Sequence, residues 1–126
     1  MSHWRKFELR PADLSAAATT NDIHLFTLGD GEIIEKIRIK HSEPFRGGAL
    51  TAYTVSVGVP GDLTKYASAF DTFQEVLPRN QLLANVLGGL EENPRASIRA
   101  AAVSTGANLS VATQGVVEIA VQTTAP

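Results

Sequence analysis

Residues 53–62 read YTVSVGVPGD. Tyr53, Val55 and Val57 alternate with Thr54 and Ser56, and Gly58 follows. A period of two carried by β-branched and aromatic residues describes a half-buried strand, with one face in a core and the other on solvent or a neighbour. Pro60-Gly61-Asp62 then stops it, because proline presets φ for a turn and glycine supplies the conformation that follows. Strand-then-stop is the unit from which the rest of the chain is read.

Three more runs repeat it. From Ile33 to His41, Ile33, Ile37 and Ile39 fall on one face and Lys36, Arg38 and Lys40 on the other. Ile98, Ala100 and Ala102 alternate with Arg99, Ala101 and Val103. Val117, Ile119 and Val121 alternate with Glu118, Ala120 and Gln122. Weaker strand candidates are Trp4 to Leu9, Ile23 to Leu28 and Gln81 to Leu87. Between them lie Gly29-Asp30-Gly31 at a hairpin-like distance, a longer loop from Pro44 to Gly48, and Gly88-Gly89 with Asn93-Pro94 around the acidic pair Glu91-Glu92. Short strands with frequent glycine and threonine turns predict an all-β domain, a jelly-roll-like β-sandwich of about eight strands. At 126 residues the chain is expected to form one domain, 1–126, large enough to hold a core without staples.

Two stretches depart from the pattern. Asp62 to Gln74, DLTKYASAFDTFQ, spaces Leu63, Tyr66, Ala67, Phe70 and Phe73 as a helix would, with Asp62 as its cap. One short helix near residues 62–74 is therefore expected, with an ordered loop plugged by the same aromatics as the alternative. Ser104 to Ser110, STGANLS, joins two strands by a connection too long for a tight hairpin. It reads as a structured loop in which Gly106 takes a positive φ, Asn108 bonds the backbone, and Leu109 and Val111 pack inward.

Composition narrows the function. There is no cysteine, so no disulfide framework, thiolate zinc site or thiol nucleophile. Eleven basic against thirteen acidic residues leave a net charge of −2, which argues against a nucleic-acid binder working through a broad basic field. No apolar run approaches the ~20 residues of a membrane helix. The charged start, Met-Ser-His-Trp-Arg-Lys, has no apolar segment behind it, so no signal peptide is expected. In that setting the Asn108-Leu109-Ser110 glycosylation triplet is accidental.

Catalytic signatures are missing as well. His3, His24 and His41 share no ligand spacing, and Asp62 and Asp71 lack the ligand density of a calcium loop. Ser42, Ser68 and Ser104 have no nucleophile-elbow context, and Gly29-Asp30-Gly31 lacks the third glycine of a phosphate loop. Trp4, Tyr53 and Tyr66 are too dispersed for a base-stacking platform. No catalytic, cofactor or metal residue is assigned, and an enzyme is not expected. The feature that stands out is the N-terminal stretch, where Arg5, Lys6 and Arg10 outnumber Glu8 and interleave with Trp4 and Phe7. Aromatic residues and arginine favour interfaces. Residues 1–10 are thus a candidate docking arm, with Trp4, Arg5, Lys6, Phe7 and Arg10 as candidate interface residues; the alternative is an edge strand with solvated charges.

The phrases IRIKHSEPFRGG, LTAYTVSVGVPGD, TKYASAFDTFQ, GLE, IRAAAVSTGANLS and TQGVVEIAVQT, spread over about two-thirds of the chain, resemble small β-sandwich virion proteins of tailed bacteriophages. The resemblance lies in strand-and-loop phrases, not in catalytic residues. It implies a capsid decoration or cement protein on the outer surface of the virion, partnered by the major capsid protein and assembling as a homo-oligomer, with a trimer favoured. Neither nucleic acid nor membrane is implied as a partner, and no cofactor. A tail, baseplate or head-fibre module that binds a host-surface receptor or glycan is the alternative.

Overall fold

The computed structural model describes residues 2–77, 80–85 and 96–124, with the side chains of residues 2, 3 and 85 left aside. Eight strands follow one another: β1 (Ser2–Leu9), β2 (Thr20–Thr27), β3 (Ile33–Arg46), β4 (Ala52–Val59), β5 (Asp62–Asp71), β6 (Gln81–Asn85), β7 (Ser97–Thr105) and β8 (Gln114–Thr124). One short helix, α1 (Pro11–Leu14), and a single 3-10 turn, Leu109–Val111, complete the described elements. The strands form two four-stranded sheets ordered β1-β8-β3-β6 (sheet A) and β2-β7-β4-β5 (sheet B), with every pairing antiparallel.

The pairs β4–β5, β3–β6, β2–β7 and β1–β8 nest around one hairpin. A long antiparallel ribbon, folded at its β4–β5 tip and wrapped so that its pairs alternate between two sheets, has the topology of a jelly roll. The tip is the Pro60-Gly61 turn, where Val59 pairs with Asp62 and Gly61 takes φ 89°. The sandwich expected from the alternation is thus the fold, and the weaker strand candidates at Trp4–Leu9 and Ile23–Leu28 are strands too. The expected strand from Gln81 begins as foreseen; its last positions, and the Gly88-Gly89 and Asn93-Pro94 turns, lie outside the described residues.

The core fills the space between the sheets. Sheet A contributes Ile34, Ile37, Ile39, Val117, Ile119 and Val121, and sheet B contributes Tyr53, Val55, Val57, Ile98, Ala100 and Ala102; all are buried. Phe45 and Tyr53 stack at 4.6 Å between ring centroids. The chain also ties the layers together: the Phe45 amide donates to the Thr72 carbonyl, and the Thr72 amide and hydroxyl both donate to the Tyr53 carbonyl.

Three local expectations are corrected. Residues 62–71 are strand β5, not a helix; the short helix lies at Pro11–Leu14. The helical spacing arises from bulges. Val55 pairs with Phe70, Val57 with Ala67 and Val59 with Asp62, so β5 spends more residues than β4 over the same span. Each inserted residue shifts the inward phase, and an alternating strand then mimics a three-to-four repeat. The second correction concerns Ile33. A register shift between Ile34 and Lys36 puts Ile34, not Ile33, in line with Ile37 and Ile39. The third concerns Gly29-Asp30-Gly31, which joins β2 of sheet B to β3 of sheet A and is a crossing between layers rather than a hairpin.

The STGANLS connection closes one end of the sandwich. Gly106 has φ 89°, and a Cβ there would lie 2.4 Å from the Ala49 carbonyl oxygen. Leu109 is fully buried and Val111 half-buried. Asn108 makes no side-chain cap bond; the Ser104 hydroxyl donates to the Ala107 carbonyl instead. The amides of Leu109 and Ser110 donate to the carbonyls of Ala18 and Ala16, which stitches this loop to the β1–β2 connection.

Candidate protein interface

Residues 2–9 are not a free arm. They form β1, at the edge of sheet A, paired with β8 from Ser2↔Thr124 to Leu9↔Val117. Strand alternation divides the five candidate interface residues into two groups. Arg5 and Phe7 turn inward with Leu9. The Phe7 ring stacks on Phe26 of β2 at 5.8 Å, and the Arg5 guanidinium lies 4.7 Å over the same ring. Arg5 also pairs with Glu32 at 3.1 Å. These two side chains seal the side of the sandwich where β1 and β2 face each other across the layers.

Glu32 is buried, which by itself pushes its carboxyl upward. The Gly29 amide, the Arg5 guanidinium and the Thr123 hydroxyl all donate to it, and with the Arg5 charge they outweigh burial and hold the carboxyl below the ordinary carboxylate range. Tyr53 moves the other way. Its hydroxyl is buried with no hydrogen-bond partner among the described residues, and burial pushes its pKa up to about 12.

Trp4 and Lys6 turn outward, as does Glu8, and Arg10 follows at the strand's end in an ion pair with Glu8. The registers arrange the outer face of sheet A in rows. Trp4 lies beside Gln122, and then Lys36; Lys6 beside Ala120, then Arg38 and Leu83; Glu8 beside Glu118, then Lys40 and Gln81. Arg38 and Lys40 both reach Glu118, at 3.3 and 3.8 Å. Within these three rows, Lys6, Lys36, Arg38 and Lys40 against Glu8 and Glu118 leave two positive charges in excess, in a chain whose net charge is −2. Trp4, Lys36, Arg38 and Leu83 line a shallow groove of about 290 Å³, and Leu83 is 69% exposed. Exposed Trp4 and Leu83 among these cations make this face the candidate interaction surface. The sequence reading missed Lys36, Arg38 and Leu83. The run from Ile33 to His41 did show Lys36, Arg38 and Lys40 on one side of a strand, but which strand would lie beside them was not legible.

The outer face of sheet B is different. Ser56, Gly58 and Ala101 are buried there, with the bulged start of β5 lying against Gly58 and Ser56, and Val103 and the Arg99–Asp22 ion pair lie toward solvent. His24 and His41 do not meet: His24 bonds Ser97, and His41, buried on β3, donates through Nε2 to the Gln74 carbonyl while Phe70 packs edge-on against its ring. His3 lies outside the described side chains. Asp62 sits at the β4–β5 turn, whereas Asp71, at the far end of β5, accepts from the amides of Phe73 and Gln74. Among the described residues no three His, Cys, Asp or Glu gather as metal ligands.

No family model and no curated protein matches the chain. Solved structures do. A chain of the cyanophage Pam1 capsid asymmetric unit superposes with a TM-score of 0.68 at 17% identity, covering 99% of this chain and 85% of that one. A chain from the capsid of Ralstonia phage GP4 gives 0.60 at 15% identity, over 100% and 85%. A chain of the acid-stable capsid of Helicobacter pylori bacteriophage KHP30 gives 0.54 at 11% identity, over 98% and 92%. At these identities the likeness is one of fold: the class is a jelly-roll β-sandwich of a kind found in phage capsids.

Proposed function

We propose that this protein is a non-catalytic structural component of a bacteriophage capsid, of the decoration or cement type, which binds the outer surface of the shell and bridges neighbouring major capsid protein subunits. The observation that carries the reading is the end-to-end match of this small chain, 98–100% covered, with chains of three phage capsids. A shell under internal DNA pressure is reinforced by rigid domains with one complementary face. The two bonded sheets supply rigidity, and the outer face of sheet A, with Trp4, Lys6, Lys36, Arg38 and Leu83, is the face with the aromatic, arginine and apolar chemistry of an interface.

The deciding experiment is quantitative mass spectrometry of purified virions, normalised to the major shell protein. A ratio of the same order as the shell protein is expected. A ratio far below it would move the protein to a tail, baseplate or fibre position and make a host-surface receptor or glycan the partner. Absence from the particle would sink the capsid reading altogether.

A further inference from the structure

Among the described residues four strands end the two sheets: β1 and β6 in sheet A, β2 and β5 in sheet B. An edge presents unpaired backbone donors and acceptors, and folded proteins blunt such edges by shortness, bulges, proline or charged side chains, of which β1 carries Lys6 and the inward Arg5. Two of the four are broken by bulges, and β6 is described over 5 residues, up to the end of its described stretch. The register of β2 shifts between His24 and Phe26, and that of β5 shifts twice against β4. β1 stands apart: 8 residues without proline or glycine, in unbroken register with β8. Arg10, at φ −120° and ψ 169°, carries the extended backbone one residue further.

On this edge Lys6 has no opposite charge across from it on β8, and Glu8 pairs with Arg10 along its own strand rather than across the sheet. Lys6 lies opposite Ala120, and Glu8 lies opposite Glu118, a like charge. Read backwards, the same strand supplies both complements. We propose that β1 pairs antiparallel with β1 of a second copy of this chain, about a two-fold axis through Phe7. An axis normal to the sheet keeps the outward faces together, so inward residues must oppose inward ones. Centring on Phe7 sets Lys6 opposite the partner's Glu8, and Glu8 opposite the partner's Lys6. It also sets Trp4 opposite the partner's Arg10, where a guanidinium meets an aromatic face. Centring on Lys6 would oppose that lysine to itself; centring on Glu8 would oppose Glu8 to itself and Lys6 to Arg10. Of these three registers the one centred on Phe7 is self-complementary, and it pairs more of the strand than a register centred on Leu9, which would set Glu8 opposite the partner's Arg10 near the strand's end. It joins two A sheets into one continuous sheet with both Trp4–Leu83 grooves on the same side. This is a two-fold contact, distinct from the three-fold grouping that the family resemblance implies, and it holds for the purified protein whether or not the capsid reading does.

Sedimentation equilibrium of the full chain tests it. A reversible monomer–dimer equilibrium is expected. K6E and E8K each turn two opposite-charge pairs into two like-charge pairs and should weaken dimerisation about tenfold or more, whereas K6E/E8K restores the pairs and should recover it to within a few-fold. A chain that stays monomeric at every concentration overturns the proposal, and Lys6 then acts as an edge guard. So does a dimer indifferent to the single swaps, or one that the double swap fails to rescue. Because an unfolded variant would also fail to dimerise, the register is read a second way. The chain has no cysteine, so K6C and E8C proteins can be mixed and mildly oxidised. Opposed positions are close enough for a disulfide and diagonal ones are not. Heterodimer disulfides should exceed both homodimers; an excess of either homodimer rules the register out.

Discussion

Glu32 and Gly106 show what single residues contribute. Glu32 binds three donors from separate parts of the chain: the Gly29 turn, Arg5 of β1 and Thr123 of β8. A carboxyl held below its ordinary value stabilises the fold fully above that value, and the contribution is lost as pH falls through the lowered one. The window therefore lies below about pH 4.5, the ordinary value for this group. E32Q should cost about 1–2 kcal/mol near neutrality, the worth of hydrogen bonds to a charged group, and should show a shallower loss of stability on acidification than the parent. Thermal melting across a pH series checks both. Gly106 answers to geometry instead: its positive φ and the nearby Ala49 carbonyl leave no room for a Cβ. G106A should destabilise by about 2 kcal/mol or more, measured by denaturant unfolding. An unchanged midpoint would mean that the loop can rearrange.

At the scale of an element, β1 is where the sequence expectation and the structure diverge in consequence. A docking arm would be removable without harm to the fold. As a strand, β1 covers one side of β8, places Leu9 in the core and sets Phe7 and Arg5 over Phe26. Removal of residues 1–10 should therefore lower the melting temperature by ten degrees or so, or prevent folding, because burial of about 2 kcal/mol for each large apolar side chain goes with it. Binding assays on that truncation would confuse lost contact with lost structure. Point changes on the outward residues of β1 separate the two.

For the molecule as a whole, the distribution of chemistry over its two faces decides which one is tested for docking. Sheet A presents Trp4, Leu83 and a row of cations, and sheet B presents Val103 and the Arg99–Asp22 ion pair. If the capsid role holds, W4A combined with L83D should reduce binding to purified shells at least tenfold, since central aromatic and apolar anchors dominate interface energies. It should leave the melting temperature nearly unchanged, because both side chains are exposed. The matching change on sheet B, V103D, should leave shell binding as it was. Equal losses from both faces would mean that the outer face of sheet A is not the docking surface.

The sequence by itself determined what depends on neighbours along the chain. Alternation of Tyr53, Val55 and Val57 names a strand and its buried face, and Pro60-Gly61 names the turn that follows; both need only local sterics and burial. The all-β class and the strand count came from the same source. Tertiary structure decided what depends on pairing. Bulges against β4 turned a helix-like spacing in residues 62–71 into a strand, and a register shift in β3 exchanged Ile33 for Ile34. The Gly29-Asp30-Gly31 turn crosses layers because its two strands find partners in different sheets. The candidate interface follows the same division. Trp4 and Lys6 were legible as outward aromatic and basic residues, but their neighbours Arg38 and Leu83 come from strands about thirty to eighty residues away, brought alongside by hydrogen-bonded registers that no local pattern encodes.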